Sequence, residues 1–216
     1  MFRLLIFFLF VNFLGFSQNV YKVDYGVEYL GFSVDTTGVD EFTKEFLIEN
    51  ENESKRFLKD DITLFELYFD QQMSIFVSVD MLEIDDQNKP ISLLSKISEY
   101  AYLLKKRKLY SKNDSYFVDI KPHTQNWEIM DETKKILGYK CRKAIINNYS
   151  KAKPKIIAWF TEEIPVSYGP INFYGLPGLI LELDRYDRLI YATVIEPVQF
   201  EDVKAVLKKK DLRVKK

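Results

Sequence analysis

Cysteine is nearly absent: Cys141 is the only one in 216 residues, so no disulfide can form within the chain. Histidine is as scarce, with His123 alone. Zinc needs about four good ligands, and one Cys with one His does not supply them. No loop has the spacing of an EF-hand. No metal or cofactor is therefore expected. A large charge of one sign is also missing, since the formal net charge is −1. Nothing in that balance draws nucleic acid or an anionic membrane. There is no internal repeat and no low-complexity tract, and beyond residue 16 no apolar run is long enough to span a bilayer.

What is present begins with an export signal. Arg3 gives a positive start, Leu4 to Phe16 is an apolar stretch, and Gly15 and Ser17 are small residues before a cut at Ser17/Gln18. The apolar stretch falls short of the ~20 residues of a membrane helix. The expected organisation is a signal peptide over 1–17, one β-rich domain over 18–200, and a basic helix or tail over 201–216. The expected location is the periplasm or the medium, with no transmembrane segment in the mature protein. The basic end, Lys208 to Lys216, reads as a solvated tail, with a weak contact to an acidic partner or lipid headgroups as the alternative.

Aromatic residues make up 15% of the chain and favour strands. Val20 to Tyr29 alternates with period two, the pattern of a half-buried strand, and Gly31 marks a phase slip read as a bulge or bend. Leu64–Phe69 and Met73–Met81 alternate around Asp70-Gln71-Gln72, a hairpin. Asn50 to Asp61 reads as an exposed loop. Ile91 to Leu104 carries Leu94, Ile97, Ala101 and Leu104 on one helical face, with the basic run Lys105–Lys108 placed at its C-terminus. Further strands are expected near 116–120, 127–129, 136–146, 156–161, 179–183 and 189–195, and a short helix near 201–209. Many strands with short turns predict a mainly β (α+β) fold: a curved antiparallel sheet or incomplete β-barrel wrapped around one helix.

Four ordered motifs stand between Trp127 and Leu183. They are Gly138-Tyr139-Lys140-Cys141-Arg142-Lys143-Ala144, then Ala158-Trp159-Phe160-Thr161 with Ile164-Pro165, then Gly169-Pro170 with Phe173, and last Gly175-Leu176-Pro177-Gly178-Leu179-Ile180. This series resembles the GLPGLI family of small exported proteins of Gram-negative bacteria. The resemblance implies an envelope location and no defined activity or catalytic residues.

The residues themselves suggest where a ligand would sit. Gly175, Pro177 and Gly178 describe a tight turn into a strand, either a structural corner or the lip of a cavity. A phosphate cradle is disfavoured because a strand, not a helix, follows. On a strand over 137–145, Leu137, Tyr139, Cys141, Lys143 and Ile145 share a face. Lys143 then either snorkels to the sheet edge, pairs with a carboxylate such as Glu182 or Asp184, or reaches into a polar cavity. Trp127 and Trp159 read as core residues, or as the lining of an apolar site if they face a cavity. Tyr139, Cys141, Lys143, Trp159, Phe173, Gly175, Leu176, Pro177 and Gly178 are the candidate ligand-binding residues; none is assigned a catalytic role. The leading expectation is a periplasmic protein that binds an apolar ligand such as a lipid inside a curved sheet. The alternative is an accessory protein that docks on another envelope protein. An enzyme using Cys141, with its basic neighbours or His123, ranks last.

Overall fold

The computed structural model describes residues 20–30, 40–57, 63–79, 100–103, 108–113, 116–121, 124–147, 155–185, 188–199, 201 and 213–214. The expected signal segment, Gly31, His123, residues 91–99 and 104 of the expected helix, 105–107 of the basic run after it, and 202–209 of the expected C-terminal helix lie outside them.

Alternating apolar residues produce one large sheet. β1 (Val20–Tyr29), β2 (Thr63–Phe69), β3 (Met73–Ser78), β4 (Tyr100–Leu103), β5 (Lys108–Asn113) and β6 (Tyr116–Ile120) form one antiparallel meander. β7 (Glu128–Ile136), β8 (Tyr139–Asn147), β9 (Lys155–Thr161), β10 (Leu179–Asp184) and β11 (Arg188–Val198) form a second. The meanders join at the centre, where β1 pairs antiparallel with β11 from Val20↔Val198 to Tyr29↔Arg188. A two-residue β12 (Arg213–Val214) adds in parallel beside β6 at one edge, so the end of the basic C-terminus returns to the sheet. β7 forms the other edge.

Turn chemistry sets the hairpins. Asp70 Oδ1 accepts the backbone N–H of Gln72 at 2.6 Å and of Met73 at 2.9 Å, closing the β2–β3 turn. The stretch expected as one strand over 136–146 is instead broken into β7 and β8. Leu137 (φ 50°) and Gly138 (φ 86°) are both left-handed, the requirement of a two-residue type I′ turn. Irregular register within β1, at Asp24 to Gly26, places a bulge in that strand.

The helical expectation is corrected. Residues 100–103 of the proposed helix are strand β4, paired with β3 from Met73↔Leu103 to Phe76↔Tyr100. The spacing of Ala101 and Leu104 fits a helix, but Tyr100 and Tyr102 also alternate, and β3 supplies a partner for them. The described helix is α1 (Glu41–Phe57), which includes part of the expected loop at 50–61. Its straight-chain Glu, Lys and Arg residues favour a helix without any apolar stripe to announce it. Asp40 caps it: Oδ1 accepts the Thr43 N–H at 3.0 Å and Oδ2 the Thr43 hydroxyl at 2.6 Å. Those bonds, the hydroxyl one first, hold the Asp40 carboxyl below its ordinary range. Phe42 and Phe46 on α1 are 80% and 58% exposed, and Ile48 is 46% exposed. Among the described residues the sheet is not wrapped around this helix.

The segment 162–178, between β9 and β10, lies over the sheet. Its Tyr168, Ile171, Phe173 and Leu176 are buried in one cluster with Val23, Tyr25, Phe65, Leu67, Phe76, Phe160, Ile180 and Ile190. Fully buried Tyr25 donates its hydroxyl to the Ile180 carbonyl at 2.5 Å, tying β1 to β10. Burial raises the Tyr25 pKa well above its ordinary value, so this donor stays protonated. Among the described residues no helix is long and apolar enough to cross a membrane.

Candidate functional site

The expected site residues fall into two groups. The first occupies one face of β8 and β9. Alternation puts Tyr139, Cys141 and Lys143 on one side of β8. Lys143 stands across from Trp159, and Cys141 across from Lys134. Trp159 is half-buried, on the opposite face from buried Ala158 and Phe160.

Two lysines bracket its indole. Lys134 Nζ sits 4.5 Å from the centre of a Trp159 ring and contacts both Glu182 carboxylate oxygens, at 2.6 and 2.7 Å. Lys143 Nζ lies 5.9 Å from the ring and contacts both Glu132 oxygens, at 3.0 and 2.8 Å. Lys143 therefore does pair with a carboxylate, but Glu182 is taken by Lys134 and the partner is Glu132. The Lys143 side chain is only 18% exposed, so its stem is covered while its head is paired. Cation–π contacts of this kind contribute about 0.5–2 kcal/mol, the lower end applying where water reaches the cation.

Cys141 is fully buried beside this platform. Burial pushes its thiol up to about 11, against a smaller opposing effect of hydrogen bonding and Lys134. A thiol so held is protonated at neutral pH and is a poor nucleophile. The basic neighbours in sequence do not activate it: Arg142 bonds Glu162 at 3.1 Å and Lys143 bonds Glu132. Among the described residues no three His, Cys, Asp or Glu side chains converge as a metal set.

The second group is the 162–178 segment, and most of it is structural. Phe173 and Leu176 are 1% exposed, with Phe173 tilted against Trp127 at 6.1 Å. Gly178 lies so close to β9 that a Cβ there would meet the Thr161 carbonyl oxygen at 2.0 Å. Gly175 has φ 92° and open space around it, and Pro177 is exposed. The GLPGLI string is thus a corner that lets the chain press onto Thr161 before β10. Gln125 latches the same segment. Its side chain donates to the Asn172 carbonyl at 2.7 Å and accepts the Tyr174 N–H at 3.0 Å. The Trp127 indole donates to the Tyr174 carbonyl at 2.9 Å.

Where this segment meets β3–β5, a cleft opens between Ser74, Phe76, Tyr100, Tyr102 and Leu109 on one side and residues 168–169 and 171–174 on the other. Its volume is about 10 Å³, the room of one water. Tyr102 stacks on Tyr174 at 4.6 Å and meets Tyr168 edge-on at 6.3 Å. Of the expected ligand-binding residues, Phe173 alone lines it.

The sequence reading missed Glu132 and Lys134, which complete the platform. The signal available was their i, i+2 spacing on β7, hidden in a strand with too few apolar residues to declare itself. It also missed Tyr102, Tyr168 and Tyr174, which come together only through the fold.

Comparison with known proteins adds the following. A family model described as "N-glycanase peptide, N-terminal domain" matches residues 49–215. Two solved structures of PNGF-II, in P21 and C2 space groups, superpose with TM-scores of 0.60 and 0.56 at 14% and 16% identity. Each alignment covers 91% of this chain and 31% of the solved chain, so the likeness is one of fold and spans less than a third of those proteins. A LolA superfamily protein from Nitrosomonas europaea aligns over 87% of this chain and 90% of its own at 9% identity, but its TM-score of 0.28 supports no argument. No curated protein matches this chain.

Proposed function

The chain belongs to the N-glycanase peptide N-terminal domain family, and from that premise we propose that it is a non-catalytic accessory domain that docks on another envelope protein. The observation that carries this reading is the Trp159 platform. A half-buried indole, framed by Lys134–Glu182 and Lys143–Glu132 pairs, has the make-up of an interface anchor. Pairing offsets part of the desolvation cost that a lone ammonium or carboxylate would bear in full when a partner covers this face.

Three further points support it. The matched family is defined by an N-terminal domain, and in the solved relatives this fold is part of a longer chain. The thiol an enzyme would use is buried and protonated. A carrier of lipid-sized ligands asks for a cavity of about 300 Å³ or more, far above the roughly 10 Å³ of the cleft at Tyr168.

In this reading the protein is exported through residues 1–17, and its ordered motifs are those of a GLPGLI-type protein. Its sheet is bent. β6 and β7 stand ten strand positions apart, about 48 Å if flat, yet only residues 121–127 join them, with a reach of about 28 Å. That length of chain supports the curved-sheet expectation.

The test is affinity co-purification from the envelope of the native host, wild type against Trp159→Ala, with native mass spectrometry of both. A defined protein partner retained by the wild type and lost by the variant is the expected result. A lipid-mass adduct on both proteins, with no partner lost, returns the carrier function and removes this one.

A further inference from the structure

We propose that the cleft between the 168–174 segment and strands β3–β5 is a second binding site, one that takes a hydroxyl group of a neutral saccharide. This site is separate from the Trp159 platform and does not rest on the docking reading.

The first reason is an unsatisfied group. Tyr168 is 1% exposed, it lines the cleft, and its hydroxyl is buried with no hydrogen-bond partner among the described residues. Buried polar groups are nearly always paired, and one that is not calls for an explanation. A phenylalanine would fill the same space without that cost. Burial raises the pKa of this hydroxyl far above its ordinary value, so at neutral pH it is a donor in want of an acceptor.

The second reason is backbone strain in the same wall. Ile171, also lining the cleft, has φ 60°. A β-branched residue there is a genuine outlier. Strain of this kind gathers at ligand sites, where the surrounding structure holds it in place. Here the Gln125 bonds to Asn172 O and Tyr174 N hold the residues just beyond it.

The third reason fixes the chemistry. The described lining residues are Ser, Asn, Gly, Phe, Leu, Ile and four Tyr, with no charged side chain among them. An anionic ligand would lose its hydration, gain no counter-charge and meet the field of the Asp70 carboxylate that already acts on the Tyr168 hydroxyl, while a cation would find no acidic side chain in the lining itself. A saccharide matches instead, because its hydroxyls both donate and accept while its C–H faces lie on aromatic rings. The enclosed volume admits one hydroxyl and no more. The sugar ring then rests outside, on the half-buried Tyr102–Tyr174 stack, with Ser74 as the second polar group inside.

The experiment titrates the full mature chain with maltotetraose, cellotetraose and N,N′-diacetylchitobiose, read by calorimetry and by tyrosine fluorescence. At least one should bind saturably, with an affinity that hardly changes with salt. Tyr168→Phe should weaken it about tenfold while leaving the melting temperature unchanged or higher, since the lost hydroxyl had no partner. Tyr102→Leu at the rim should weaken it too, and Trp159→Ala should not. Failure of all three sugars to bind overturns the proposal. So does binding that survives Tyr168→Phe, or that Trp159→Ala abolishes, which moves the sugar to the platform. A Tyr168→Phe variant that melts lower has lost a structural bond instead, and this too overturns it.

Discussion

Cys141 shows how far a single residue's environment departs from its neighbours in sequence. Lys140, Arg142 and Lys143 flank it, which on sequence alone argues for a reactive thiolate. The fold pairs Arg142 with Glu162 and Lys143 with Glu132 and buries the sulfur. With the folded thiol at about 11 against an ordinary 9.0, the folded state holds this proton more tightly than the unfolded chain. The stability it lends is complete below about pH 9 and is lost as pH rises through about 11. The melting-temperature gap between wild type and Cys141→Ala should therefore shrink between those values. In the same sample, a thiol-exchange reagent near pH 8 should label Cys141 only after unfolding. Rapid labelling of the folded protein contradicts the assigned environment. Much at this scale was legible: the alternation placed Tyr139, Cys141 and Lys143 on one face, and a carboxylate partner was one of the fates open to Lys143. The choice of Glu132 was not legible, because it depends on an irregular register between Ile129 and Thr133.

Strands were readable where their apolar residues alternate, as in β1, β2, β3 and β9. β7 (EIMDETKKI) is an exposed edge with three acidic and two basic residues, so it has no core face to reveal. That charge also protects the edge against pairing with another chain. α1 was unreadable for a different reason, since its Phe42, Phe46 and Ile48 are exposed and mark no core face, and its cap at Asp40 was the one local sign. The β7–β8 turn was misread because Leu137 occupies a position that favours Asn, while Gly138 looked like an interruption within one strand. This mismatch is testable. Leu137→Asn restores the Asn-Gly pair that type I′ turns prefer and removes a side chain that is 46% exposed. It should stabilise the protein by about 1 kcal/mol in denaturant titration. A loss of stability shows that Leu137 makes a contact worth more than its strain.

At the level of the whole molecule, the sheet is two meanders joined along β1 and β11. Composition and turn spacing predicted a large antiparallel sheet, but not which strands would meet at its centre. Pairing across such a distance leaves no local signal, and neither does the irregular 162–178 segment that lies over the sheet. The topology makes the two ends of the chain unequal in value. Truncation after residue 199 removes β12 from an edge and should lower the melting temperature by a few degrees. Truncation after Asp184 removes β11 from the centre, strips β1 of one whole ladder, and should abolish cooperative thermal unfolding by circular dichroism. Retention of a sharp transition in the shorter chain shows that the meanders fold independently.

The β1–β11 seam also has a meaning in time. A ribosome delivers β1 first and its partner almost last, with Val20 waiting for Val198. At ordinary elongation rates that wait is roughly 10 to 30 s. Until then the central ladder does not exist, and the growing chain lacks the surface on which its core closes. The domain works like a clasp whose two halves are sewn at opposite ends of a ribbon: the ribbon stays threadable through a narrow opening for nearly its whole length, and fastens only when its last strand comes through.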